Sequence, residues 1–177
     1  MGQNLILCQF PLWINYQVPI SFGSGLSGSI HDLKHPLNKK PKEYFAEIAI
    51  IRFEEKMLKT ETPRAMKDLS FERGDVWCLV SLSKALSRLS KKFPVLGSGK
   101  NILAPKRIVH DEEKIREAPF INVSHGEPWM IDFASSSNDH WTPDWALVGV
   151  RLTGRVREPR QKYSHVFIDT YSTRFIK

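Results

Sequence analysis

A chain of 177 residues with 41% hydrophobic and 11% aromatic content is long enough for one domain with a real core, and too apolar for wholesale disorder. Its 26 Lys and Arg against 19 Asp and Glu give a net charge of +7, which favours anionic partners over cationic ones and leaves the fold open. The two cysteines, Cys8 and Cys78, form no CxxC and have no His at metal spacing, which argues against a disulfide scaffold and fits a reducing compartment.

No Asp, Glu, Lys or Arg occurs from Met1 to Ile30, so all 26 + 19 charges lie beyond it. Residues 1–37 are expected as an uncharged N-terminal segment and loop: two short extended pieces with Pro11, Pro19 and a Gly/Ser turn. Such a segment packs on the body as an added pair of edge strands, pairs with another surface, or stays poorly ordered. It lacks the basic region of a signal peptide, and Leu5–Cys8 is too short to span a bilayer. Ile6 stands where a myristoylation motif needs Ser or Thr. Without an export signal, the sequon Asn122-Val123-Ser124 reads as accidental, and the expected location is intracellular, in the nucleus or cytoplasm.

Residues 38–177 read as a single globular α+β domain. Lys39-Lys40-Pro41-Lys42 is a solvated loop that could double as a nuclear-import signal. Residues 43–59 show no clean helical period, and Phe45, Ala49, Ile51 and Phe53 alternate with Glu47 as the polar exception. The length of the segment tips the reading to helix over strand. Val76–Val80, after Gly74-Asp75, reads as a buried strand with Cys78 inside. Leu82, Ala85, Leu86, Leu89 and Phe93 then fall at helical spacing up to Pro94, with Ser81 or Ser83 as N-cap. Lys84, Arg88, Lys91 and Lys92 occupy the other side, which makes helix 82–93 amphipathic and basic. Gly97–Lys106 is a loop and Asp111–Ala118 a short charged helix. Strands are expected at Phe120–Val123, Trp129–Phe133, Ala146–Val156 and Tyr163–Ile168.

Gly97-Ser98-Gly99-Lys100 resembles the end of a phosphate-binding loop, but Pro94 and Asn101 stand at two of its defining positions. Between His125 and Asp144 lie Glu127, Asp132, Asp139 and His140, groups that could hold a divalent metal or act as acid and base. Their spacing matches no ligand signature, and a structured loop is the plainer reading. No catalytic residue, metal ligand or cofactor is assigned.

The sharpest pattern is Trp145–Arg157. Ala146, Val148, Val150, Leu152, Gly154 and Val156 point one way, and Arg151, Thr153, Arg155 and Arg157 point the other, so one face turns cationic along the strand. A five-residue turn then leads into Tyr163–Tyr171. Pairing Arg157 with Tyr163 sets Arg155 against His165, Thr153 against Phe167 and Arg151 against Asp169. The expected hairpin face carries Arg151, Arg155, Arg157, Tyr163, His165 and Phe167, cations for phosphate and rings for base stacking. Lys84, Arg88, Lys91 and Lys92 extend its positive field.

The expectation is therefore an α+β fold whose antiparallel sheet has barrel closure among its options, packed by one basic amphipathic helix. The expected function is non-enzymatic nucleic-acid binding, single strands favoured, as a module or an isoform of a larger nucleic-acid-processing protein. The alternatives are a protein-interaction module that uses residues 1–30 for strand addition, and a metal-assisted hydrolase.

Overall fold

The computed structural model describes residues 4–16, 20–22, 43–97, 101–105, 108–109, 116–122, 131–134, 140–158 and 166–168. In chain order its elements are β1 (Asn4–Asn15), β2 (Ile20–Phe22), β3 (Glu43–Phe53), β4 (Met57–Leu58), α1 (Thr62–Asp68), β5 (Glu72–Arg73), α2 (Val76–Lys92), β6 (Asn101–Leu103), β7 (Ile108–Val109), β8 (Arg116–Asn122), β9 (Ile131–Ala134), β10 (His140–Trp141), β11 (Trp145–Arg157) and β12 (Val166–Ile168). A turn of 3-10 helix, Pro94–Gly97, follows α2. The fold mixes helix with a mostly antiparallel sheet. Among the described residues, no helix is long and apolar enough to cross a membrane.

The main sheet runs β1-β3-β11-β6-β8-β7, with β5 also on β11 and β9 also on β8. Only the β11–β6 pair within it is parallel. The two ends of that order do not meet, so the barrel option is not taken, and among the described residues β1 is an edge strand. Pro11 sits within β1, and an edge strand is where a residue without an N–H is tolerated.

Residues 43–53 form a strand and not the expected helix, because β3 lies between two partners and is covered on both faces. Ala46, Ile48 and Ile50 join a cluster with Phe10, Leu12 and Ile14 of β1 and with Trp77, Leu79, Leu82 and Leu86 of α2. Ala49, Ile51 and Phe53 join a second cluster with Met66, Phe71, Trp141 and Leu147. A strand sandwiched in this way loses its polar alternation, which is why its period was hard to read.

Val76–Val80 corrects in the opposite sense: it is the start of α2 and not a strand. Asp75 adopts an extended backbone, φ −123°, and its carboxylate accepts a hydrogen bond from the Cys78 N–H at 3.2 Å. That N-cap satisfies a donor the first turn leaves open. Every residue from Val76 to Ser83 is buried, and a helix segment enclosed on all sides has the same continuous apolar run as a buried strand. Ser83, one of the expected caps, lies inside the helix and donates its hydroxyl to the Val80 carbonyl at 2.8 Å. Pro94 does end the helix: the Phe93 N–H closes on the Leu89 carbonyl at 2.8 Å.

The expected helix at Asp111–Ala118 is also corrected, since its described residues, Arg116–Ala118, open strand β8. Both cysteines are buried and neither is in a disulfide, and burial pushes the Cys8 thiol up to about 11.

Candidate functional site

Within the described residues, the expected pairing of Thr153 with Phe167 is not seen. β11 bonds to β3, β5 and β6, and β12 lies parallel to β2 in a separate two-stranded sheet. Arg151 pairs across the sheet with Glu47 of β3. Phe167 belongs to β12, opposite Ser21. Tyr163, His165 and Asp169 lie outside the described residues, as do His125, Glu127 and Asp139 of the acidic loop and Ser98–Lys100 of the Gly/Ser loop.

The arginines nevertheless share one face, for a reason visible in the register. Leu152 faces Ala46 and Val156 faces Tyr44, so Thr153, Gly154 and Arg155 all stand opposite Phe45 alone. This bulge inserts two residues, and an even insertion leaves the in-out parity of the strand unchanged. Gly154 turns its corner at φ +78°, a backbone that L side chains adopt only with strain. Arg151, Arg155 and Arg157 therefore project on the side of Glu43, Phe45 and Glu47.

What surrounds them comes from β1, β3 and the segment before β5. The Arg151 guanidinium lies 4.9 Å from the Phe71 ring centroid, Arg155 4.9 Å from Phe45, and Arg157 4.0 Å from Trp13. Trp13 and Phe45 are themselves cross-strand neighbours with centroids 5.0 Å apart. The Thr153 hydroxyl donates to the Phe45 carbonyl at 3.0 Å and stitches the bulge to β3. Each of the three guanidinium groups thus lies over an aromatic ring contributed by another part of the chain, a cation–π contact that helps hold the long side chain in place.

Two of the three charges are compensated. Arg151 donates to Glu47 through Nε at 3.0 Å and again through Nη2, and Gln9 donates to the same carboxylate. The Arg151 and Gln9 hydrogen bonds hold the Glu47 carboxyl below its usual range. Arg157 donates through Nε to Glu43, whose side chain is only 2% exposed. Arg155 is exposed and has no carboxylate partner among the described residues. Against the expectation, the hydrophobic positions of this end are not enclosed either: Leu152 is 43% exposed and Val156 46%.

The four helix cations are placed elsewhere. Lys84, Arg88, Lys91 and Lys92 are exposed on α2, and α2 packs on the sheet face formed by Ile48, Ile50, Val148 and Val150. Arg151 stacks on Phe71, which belongs to the cluster on the other face. The helix therefore does not extend the field of the arginine face.

Part of the acidic loop lies within the described residues. His140 pairs opposite Leu58 in the β10–β4 sheet, and the Thr142 hydroxyl lies 3.5 Å from the Asp144 carboxylate. Trp141 is buried beneath the Lys59 ammonium at 4.4 Å. Among the described residues no group of three His, Cys, Asp or Glu side chains could hold a metal.

Sequence reasoning missed Trp13, Phe45, Phe71, Glu43 and Glu47 as members of the face. Their signal was present as alternation in β3, but Glu47 and Arg151 stand 104 residues apart, and no local pattern pairs strands at that distance. Comparisons with protein-family models, with characterised proteins and with solved structures find no match.

Proposed function

We propose that the protein is a non-enzymatic nucleic-acid-binding module, of the nucleus or cytoplasm, that takes single strands on the face built from Trp13, Phe45, Arg151, Arg155 and Arg157. The observation that carries this reading is the pair of guanidinium groups placed over aromatic rings, Arg155 over Phe45 and Arg157 over Trp13. A guanidinium fixed against a ring offers its other side to an unstacked base, while its N–H groups remain directed at phosphate. Exposed backbone phosphates supply the anion, and the overall charge of +7 draws the polymer in.

The ion pairs rank the arginines. Arg155 is the principal phosphate ligand, since Glu47 and Glu43 already neutralise Arg151 and Arg157. Three cations and two carboxylates leave the face only one net positive charge, so the affinity comes from stacking more than from field strength.

A salt titration with single-stranded oligonucleotides tests this. Arg155→Ala should weaken binding across unrelated sequences and reduce the slope of log K against log salt by about 0.7. Arg151→Ala and Arg157→Ala should change the slope less. Phe45→Ala should cost about 1–3 kcal/mol with little change in slope, because stacking releases no counterions. Absence of any affinity at low salt, in the parent chain with its fold intact, would overturn the reading.

A further inference from the structure

The cations of α2 form a surface of a different kind from the arginine face. Lys84, Arg88, Lys91 and Lys92 are exposed, while Leu82, Leu86 and Leu89 on the reverse side are buried. At 3.6 residues per turn, the four span an arc of about 100° and about 12 Å of helix axis. No Asp or Glu occurs from Val76 to His110, a stretch that contains Lys84, Arg88, Lys91, Lys92, Lys100, Lys106 and Arg107. No carboxylate on the helix itself therefore compensates the stripe at the i+3 or i+4 positions.

Nor does the stripe offer a stacking platform among the described residues. Phe93 lies 5.5 Å from the Lys92 ammonium but packs against Phe10 at 5.4 Å between centroids. A surface of amines without rings recognises phosphate by charge and is indifferent to bases, which suits a duplex whose bases are already stacked. A bilayer is the poorer fit, because Leu82, Leu86 and Leu89 are committed to the core and leave the helix no apolar side to insert.

We infer that the Lys84/Arg88/Lys91/Lys92 stripe is a second phosphate-binding surface, one that holds a duplex backbone while the arginine face holds a single strand, so that the protein bridges two nucleic-acid segments. A helix layer and a sheet layer, together about 20 Å thick, separate the two surfaces. The single-strand half of this arrangement rests on the proposed function; the duplex half stands on the stripe alone.

The test uses the full chain with a blunt duplex and a single-stranded oligonucleotide, each titrated alone and then together as a fluorescence donor and acceptor pair. Arg88→Gln/Lys91→Gln/Lys92→Gln should weaken duplex binding by about tenfold or more and lower its salt slope by about 2 to 3. It should abolish energy transfer between the two oligonucleotides and leave single-strand affinity within about twofold. Lys84 is kept native in this variant, since partial desolvation lowers its proton affinity. Lys91 and Lys92 also complement the helix C-terminus, so the single variant Arg88→Gln, away from that end, provides a fold-neutral repeat with a smaller loss.

Arg155→Ala should show the reverse pattern, with single-strand binding weakened and duplex binding kept. A parent that binds duplex but no single strand would defeat the proposed function and the bridging while leaving the stripe in place. Duplex binding that is absent, or unchanged in the triple variant, would overturn the second surface. So would loss of both ligands together, which would mean one shared footprint, or a loss confined to binding of phosphatidylserine vesicles.

Discussion

The two halves of β11 both pair with β3, yet they live in different environments. From Ala146 to Val150 both faces are enclosed, one by α2 and the other by Phe71 and the α1 layer. From Arg151 onward both faces open, and every residue through Val156 is exposed. In the enclosed half alternation distributes apolar side chains between two cores; in the open half the same alternation sorts guanidiniums onto one face. The period of a strand therefore reports which residues share a face and leaves open whether that face is covered. Coverage is decided by elements far away in sequence.

The largest expected effect breaks or upholds that contrast directly. Leu147, fully buried, should cost about 2–5 kcal/mol when cut to Ala, whereas Leu152→Ala in the open half should change stability by less than about 0.5 kcal/mol. Chemical denaturation of the two variants decides it, and similar losses would mean that the open half is covered after all.

The two glycines of the strand sharpen the comparison, because each is required for a different reason. A Cβ at Gly149 would stand 2.9 Å from Ile51 Cδ1 and 3.0 Å from Phe71 Cβ, and one at Gly154 would meet nothing within 4 Å. Gly149→Ala should therefore cost about 1–3 kcal/mol through overpacking. Gly154→Ala should cost about 1–2 kcal/mol through its positive φ. Asn tolerates that backbone, so Gly154→Asn should recover part of the loss, while Gly149→Asn should be worse than Gly149→Ala. Thermal melts of the four variants separate crowding from backbone strain.

A smaller effect concerns charge in the open half. Glu47→Gln should release Arg151 for phosphate and raise the salt slope of single-strand binding by up to about 0.7, with little change in folding stability because the pair is exposed. A slope unchanged from the parent would show that Arg151 is not on the binding path.

The smallest effect is on pH dependence. Glu47 is held below its usual range by hydrogen bonds from Arg151 and Gln9, so its contribution is fully present above the unfolded-state carboxylate pKa. It is lost as pH falls through the lowered folded-state value. Melting curves of the parent and Glu47→Gln should run parallel above the carboxylate range and converge only in more acidic solution. Convergence near neutrality would contradict that sign.

Much of this was legible in the sequence where a pattern is local. The alternation of Trp145–Arg157 placed the arginines on one side, and it survived the bulge only because two residues were inserted, not one. Leu82, Leu86 and Leu89 marked the buried side of α2, and Pro94 its end. Asp75 was an available cap signal that the apolar run after it obscured. Pairing was not legible. The choice of β3 as a neighbour of β11 depends on the apolar surface that β3 buries on both sides, a quantity no window of residues contains. The partners of the arginines therefore had to come from the fold, and with them the finding that Glu43 and Glu47 temper the charge.

The central place of β3 has a kinetic corollary. Its two neighbours lie on opposite sides of it in the chain, β1 before it and β11 about a hundred residues after it. Loop closure of that span must be completed before the sheet gains its middle, which places the domain among slow, high-contact-order folders. During synthesis the β1–β3 pair emerges long before β11 does, and one side of an isoleucine-rich strand then waits with its hydrogen-bonding groups unmatched. Nascent chains halted before Trp145 are thus the species most prone to aggregate and most dependent on chaperones, while chains extended through Arg157 can close the sheet and escape that fate.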